Sequence, residues 1–287
     1  MKDRRSPQRS PLPATLLACG VGLTCLAPPA AAGVIFSQDF ESAASLSDLV
    51  GTDEASQFQL LNANSGGTDT AALTGGALVF TNLPESPGVD NTQSDLQTNQ
   101  FTTPATLLSA GFTVRVDADP SISNNNPLSN IEIGVDGIRD RIQFYYQAGT
   151  ISVGLNANTD DVVALPGGVS TVVSVYVNDS ADSANYLAPD GTTRTLNADR
   201  TTLFVGETLV VENANPNNAG RDLNGFLFEH NIRNANLDNG VFAFEDIILR
   251  DDLDLVIPEP SSLVLAGLGA LTMLGRLRRP VARQAAG

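Results

Sequence analysis

Between residues 33 and 257 apolar side chains recur at every second position in short runs, and Gly, Asn, Asp and Pro separate the runs. Phe112, Val114 and Val116 alternate with Thr113, Arg115 and Asp117. Ile142, Phe144 and Tyr146 alternate with Arg141, Gln143 and Tyr145, and Val173, Val175 and Val177 with Val172, Ser174 and Tyr176. A period of two places one set of side chains on a packed face and the other on the opposite face of a strand. Asp136-Gly137, between apolar runs at 131–135 and 138–146, predicts a hairpin. Ala148-Gly149 leads into a run at 151–155, and Pro189-Asp190-Gly191 marks another turn. Further strands are expected at 33–40, 77–81, 203–211, 225–230 and 241–249. Residues 103–110 read as a short helix or turn, residues 62–70, 84–99 and 121–129 as surface loops, and 251–257 as an acidic linker. The count, about ten to twelve strands, suits an all-β domain over 33–250 built as a two-sheet antiparallel β-sandwich of the jelly-roll kind.

Charge and cysteine usage narrow the setting. Eight arginines stand against 30 acidic residues in 33–257, a net charge of −22 where the whole chain carries −16. Such a surface repels nucleic acid and anionic lipid and suits divalent cations. Both cysteines, Cys19 and Cys25, precede the domain, which therefore relies on its core rather than on a disulfide.

Both ends of the chain read as targeting segments. Lys2, Arg4, Arg5 and Arg9 form a basic start, residues 14–26 an apolar stretch, and Ala30-Ala31-Ala32 a small-residue site. This is a signal peptide over 1–32, cut by signal peptidase between Ala32 and Gly33, with Ala30 and Ala32 as the recognised small residues. Arg4-Arg5 lacks the apolar residues of a twin-arginine signal, and too few apolar residues precede Cys19 for a lipobox. At the other end, Pro258-Glu259-Pro260 interrupts any helix, an uncharged apolar run follows over 263–274, and Arg276, Arg278 and Arg279 close it. Extended to 261–277 the run could cross a thin bilayer, with the arginines and the tail 280–287 on the cytoplasmic side.

The order Pro-Glu-Pro, apolar helix, arginine cluster resembles the PEP-CTERM sorting signal of Gram-negative bacteria, over 258–279. The resemblance implies processing by an exosortase and a link to exopolysaccharide and biofilm matrix. The additional residues 280–287 depart from the usual pattern, in which the arginines end the chain. A second resemblance rests on the opening Phe36-Ser37-Gln38-Asp39-Phe40-Glu41 and the closing Phe244-Glu245-Asp246-Ile247-Ile248-Leu249. These look like the ends of concanavalin A-like lectin/glucanase domains, which implies that the first and last strands pair in one sheet.

If the ends are neighbours, Asp39, Glu41, Glu245 and Asp246 could converge as oxygen ligands, and calcium is the one cofactor the residues suggest. Laminarinase-type enzymes on this fold carry Glu-x-Asp-x-x-Glu on one strand; here Glu132 is followed by Gly134 and Gly137 where carboxylates are needed. Tyr145 and Tyr176, on the polar faces of their strands, are candidate sugar platforms in a chain without Trp. His230, the single histidine, reads as a hydrogen-bonded strand-end residue rather than a catalytic or zinc centre. The expectation is an exported, surface-sorted protein of the periplasm, cell surface or extracellular matrix, without catalytic residues and without a nucleic-acid partner. The alternative is a calcium-assisted, lectin-like polysaccharide binder, and a divergent glycoside hydrolase ranks third.

Overall fold

Phenylalanine explains how a sandwich holds together without disulfides or tryptophan. In the computed structural model, which describes residues 33–62, 70–82, 92–118, 127–147, 150–156, 161–232 and 240–255, rings from two sheets interlock in the interior. Phe144 meets Phe242 at 4.9 Å, Phe80 meets Phe228 at 5.2 Å, and Phe112 meets Phe226 at 5.5 Å, each contact crossing from one sheet to the other. Such pairs add about 0.5–1.5 kcal/mol each beyond the area they bury. The expected signal peptide (1–32) and the sorting segment with its apolar helix and tail (258–287) lie outside the described residues.

Among the described residues there are seventeen strands: β1 (Val34–Gln38), β2 (Phe58–Asn62), β3 (Thr70–Thr74), β4 (Ala77–Asn82), β5 (Thr92–Thr98), β6 (Leu107–Ala118), β7 (Pro127–Ile133), β8 (Asp140–Gln147), β9 (Thr150–Leu155), β10 (Val162–Leu165), β11 (Thr171–Asn178), β12 (Ala184–Leu187), β13 (Thr193–Leu196), β14 (Arg200–Val205), β15 (Thr208–Ala214), β16 (Phe226–Ile232) and β17 (Gly240–Arg250). The only helical element described is a 3-10 turn at Leu46–Leu49. The first sheet runs β15-β14-β11-β6-β17-β4-β3, with β1 also on β17. The second runs β10-β9-β8-β7-β16-β5-β2, and β12-β13 is a separate hairpin. All pairings between these strands are antiparallel, and the first and last strands are partners as expected.

β17 shows how one strand serves two partners. Its first half pairs with β4 and its second half with β1, on the same edge, while β6 runs along the other. The register slips between Phe244 and Asp246, leaving Glu245 as a bulge. The inward set therefore changes from Phe242 and Phe244 to Ile247 and Leu249, as an inserted residue in a period-two strand requires.

Several sequence expectations change. Residues 103–110 form no helix; Leu107–Ala110 are the start of β6, because β11 and β17 pair with them on both sides. The stretch 84–99 was expected as loop but contains β5, and β7 begins at Pro127 inside the loop expected at 121–129. The single strand expected at 203–211 is two, β14 and β15, turned at Gly206 with φ +56°. The acidic stretch 251–257 is no free linker as far as Leu255: Leu253 is buried among Tyr176, Tyr186, Leu196 and Phe204, and Leu255 packs beside them.

The hairpin expected at Asp136-Gly137 is present, with a six-residue connection, 134–139, between β7 and β8. Gly134 has φ +96°, and a Cβ there would lie 2.6 Å from the Gly137 carbonyl oxygen and 3.0 Å from that of Asp222. Backbone atoms cannot swing aside. Gly134→Ala is expected to cost about 2–3 kcal/mol, against about 1 kcal/mol for Gly75→Ala, where φ is +61° and the space is open. Urea-unfolding midpoints of the two variants check the difference.

Candidate functional site

The face of the second sheet turned away from the core carries a band of polar groups arranged around one apolar residue, Leu227. Cross-strand pairing places Asp95 and Gln97 (β5) beside Glu229 and Leu227 (β16), these beside Asn130 and Glu132 (β7), and these beside Gln143 and Arg141 (β8). Directly paired residues share a face. The opposite parity, Leu96, Phe228, Ile131, Ile142 and Phe144, fills the core.

Glu132 is the centre of the band and only 2 % exposed. Nε of Arg141 donates to its Oε1 at 2.7 Å, and Nη2 pairs with the same oxygen at 2.5 Å. Burial pushes the Glu132 pKa up; the charges of Glu229 and, more weakly, Asp95 push the same way, and Arg141 pulls it back. Alongside, the Tyr145 hydroxyl donates to Gln143 Oε1 at 2.9 Å, and Gln143 Nε2 donates to Asn130 Oδ1 at 3.3 Å. Glu132 and Gln143 are buried beneath the band, whereas Asp95, Gln97, Glu229, Asn130 and Arg141 are half-buried; these five keep carboxylate, amide and guanidinium groups that can exchange hydrogen bonds with sugar hydroxyls. Gly134 and Gly137, which stand where the glucanase pattern needs carboxylates, lie in the β7–β8 connection with φ of +96° and +158°.

The tyrosines proposed as sugar platforms do not fill that role. Tyr145 is 7 % exposed and its hydroxyl is used within the band; Tyr176 is 1 % exposed. Tyr176 lies on the outer side of β11, but Tyr186 of β12 covers it at 4.4 Å between ring centroids, with Leu253 beside it. Burial pushes the Tyr186 pKa up to about 12, and Tyr176 is shifted the same way by burial. A polar-face position in a strand is exposed only if nothing packs on that face, and here a hairpin and the end of the domain do.

The structure brings Asp39, Glu41 and Glu245 near enough to Asp246 for their charges to act on it. The Asp246 pKa is raised by burial first and then by the charges of Asp39, Glu245 and Glu41, while a Thr113 hydrogen bond lowers it. Among the described residues, however, no three carboxylate, His or Cys side chains are grouped as ligands. Glu245, thrown out by the bulge, accepts from Ser170 Oγ at 2.7 Å and pairs with Arg115 at 3.4 Å. Asp39 Oδ1 accepts the Glu41 N–H at 3.2 Å and the residue borders an open polar cavity of about 390 Å³ with Asp48 and Ser56. His230 is fully buried on the core side, its Nδ1 2.7 Å from Ser129 Oγ.

Asp95, Gln97 and Glu229 escaped the sequence reading. Asp95 and Gln97 lie in a stretch whose polar composition reads as loop, and the link from β5 to β16 joins residues more than a hundred positions apart. An alternation Ser94-Asp95-Leu96-Gln97-Thr98 was the available signal, weakened by its single large apolar residue.

No curated protein matches the sequence. Solved structures with a related backbone include the cellulose-induced protein Cip1 (14 % identity, 77 % of this chain and 100 % of that one, TM-score 0.46). They also include a GH131 beta-glucanase catalytic domain from Podospora anserina (11 % identity, 76 % and 95 %, TM-score 0.48). A third is an endo-beta-1,4-glucuronan lyase from the fungus Trichoderma reesei (11 % identity, 67 % and 90 %, TM-score 0.41). The sheet order and register above rest on this chain's own hydrogen bonds. Residues 256–279 match the model of the PEP-CTERM protein-sorting motif, over the same Pro-Glu-Pro, apolar run and arginines read from the sequence. The chain carries this motif, and it is therefore an exported protein of a Gram-negative bacterium, processed by an exosortase.

Proposed function

We propose that the exported domain is a non-catalytic component of the exopolysaccharide matrix that holds polysaccharide across the outer face of its second sheet. The observation that carries this reading is the polar band on β5, β16, β7 and β8, which lies opposite the phenylalanine core. Polar groups on a sheet face are anchored by the ladder beneath them, so they meet a polymer with little loss of side-chain freedom. Non-catalytic action is supported by the glycines at 134 and 137, which stand where the glucanase pattern needs carboxylates. Release of the domain into matrix or its retention at the cell surface follows from where the exosortase delivers it.

Both sheets draw their core from residues 33–255, so the domain 33–257 can be tested alone. Its migration is measured in gels containing different polysaccharides, each with calcium and with chelator. Selective retardation is expected, and Gln97→Ala with Glu229→Ala is expected to weaken it about five- to tenfold with little change in melting. Retardation that needs calcium would favour a calcium-assisted lectin. Sugar release that vanishes in Glu132→Gln would replace binding with glycoside hydrolysis. No retardation by any polymer would remove the polar band as a glycan surface.

A further inference from the structure

The two ends of the domain meet at one place. The Gly33 carbonyl accepts the Asp251 N–H at 2.8 Å, and Val34 pairs with Arg250. Arg250 grips Asp252 at two points, Nε to Oδ1 at 2.8 Å and Nη2 to Oδ2 at 2.9 Å. Asp252 Oδ1 also accepts the Asp254 N–H at 3.0 Å. This turn seats Leu253 in the pocket made by Tyr176, Tyr186, Leu196 and Phe204. Val256, where the sorting motif begins, comes immediately after Leu255.

Gly33 is shaped to admit the Asp252 carboxylate. Its φ is +91°, and a Cβ placed on it would lie 2.1 Å from Asp252 Oδ2 and 3.2 Å from Arg250 Nη2. The backbone nitrogen and a Cβ are bonded to the same Cα, about 2.5 Å apart, so the Gly33 nitrogen lies within about 5 Å of that carboxylate oxygen. In the unprocessed chain this nitrogen is a peptide N–H. Hydrolysis of the Ala32–Gly33 bond by water leaves a carboxylate on Ala32 and an ammonium on Gly33. The new cation arises where Asp251, Asp252 and Asp254 outnumber Arg250.

We propose that the α-ammonium freed at Gly33 by signal-peptide removal is captured by Asp252, completing with Arg250 a clamp that fastens the last residues before the sorting motif. The inference rests on the reading that signal peptidase cuts before Gly33. N-terminal processing then firms the base from which the C-terminal motif projects, which couples the two maturation events through one carboxylate. A charge-assisted hydrogen bond is the strong kind, and this one becomes available only after cleavage.

The processed chain offers a clean test, because its sequence from Gly33 to Gly287 contains no lysine. Acetylating reagent therefore modifies a single amine, the one at Gly33. Hydrogen exchange over 251–255 is measured by mass spectrometry on the chain 33–287 in detergent, before and after acetylation, for the natural protein and for Asp252→Asn. Acetylation is expected to speed exchange of this segment on the order of three- to tenfold in the natural protein and to change it less than about twofold in Asp252→Asn. Equal exchange before and after acetylation of the natural protein overturns the clamp, as does an equal effect in both proteins. A chain with Ala-Ala placed before Gly33, which turns the ammonium back into an amide, should match the acetylated protein; full protection there also overturns it. N-terminal sequencing of the chain exported by a Gram-negative host separates the two readings. A start other than Gly33 removes the cleavage reading and the clamp's occasion with it, whereas a start at Gly33 without coupling removes the clamp alone.

Discussion

Arg139→Ala is expected to destabilise the domain by about 3–5 kcal/mol, a large part of the roughly 5–15 kcal/mol that holds a domain folded. Arg139 is fully buried at the entry to β8, and all five of its N–H groups are used. Nη1 donates to Asp140 Oδ2 at 2.7 Å and to Thr201 Oγ1 at 3.2 Å. Nη2 donates to Asp199 Oδ1 at 2.8 Å and to the Asn178 carbonyl at 3.3 Å, and Nε to Asp179 Oδ1 at 3.2 Å. Asp140 begins a strand of the second sheet, whereas Asn178 and Thr201 belong to β11 and β14 of the first. The guanidinium therefore ties the two sheets together at one end of the sandwich. Without it, Asp140 keeps the Thr201 hydroxyl and Asn156 Nδ2, each at 2.7 Å, but is a buried carboxylate with no cation. Asp179 and Asp199 are partly exposed and return to water at little cost. Adding Asp140→Asn to Arg139→Ala is therefore expected to recover part of the loss. Urea unfolding of the single and double variants measures both effects, and a loss below about 1 kcal/mol for Arg139→Ala would show that the buried network contributes little.

Acidification is expected to remove about 3 kcal/mol of stability between pH 6.5 and 4 through His230 alone. Burial among Phe228, Phe242 and Ser129 pushes its pKa down from 6.5 to about 4. The sign follows from proton counting. Below pH 6.5 the unfolded chain takes up a proton on this histidine and the folded chain does not, so stability falls as pH drops, until the folded form also titrates near 4. Its Nε2 finds no hydrogen-bond partner in the core, so protonation would place a second buried donor there without an acceptor. Carboxylates whose pKa is lowered on folding act further down: Asp190, drawn down to about 2 by Thr192 and Arg194, loses its contribution below the ordinary value of 3.8. The two windows are separable. His230→Gln, which keeps a group able to bond Ser129, is expected to flatten the stability profile between pH 6.5 and 4 and to leave the fall below 4. An unchanged slope in that variant would place the acid sensitivity elsewhere.

Local alternation was legible wherever a strand was long and one-sided. β4, β8, β9, β11 and β17 stand where the apolar period places them. β5 was missed because its inward positions are Ser94, Leu96 and Thr98, and only one of these is a large apolar residue. It is a strand because β2 and β16 pair with it on both edges. β14 and β15 read as one strand because only Gly206-Glu207-Thr208 parts the apolar runs 203–205 and 209–211, a gap short enough to pass for one polar stretch of a single strand; the backbone turns there, with Gly206 at φ +56°. The bulge at Glu245 has the same character: nothing in Phe244-Glu245-Asp246-Ile247 reveals which residue the partner strand skips.

The sequence by itself determined the all-β class, the two-sided strands, the absence of thiol chemistry from the domain and the sorting motif at the C-terminus. These follow from composition, period and contiguous motifs, which a linear chain displays directly. Only the tertiary structure decided that Tyr145 and Tyr176 are covered, that Asp39, Glu41 and Glu245 act on Asp246, that Arg139 joins the two sheets, and that Asp95, Glu132 and Glu229 share a face. A period of two tells which side of its own strand a residue faces. It carries no information about which distant strand lies alongside or what packs on the far face, and those two facts set the burial, the charge environment and the chemistry of every residue in the candidate site.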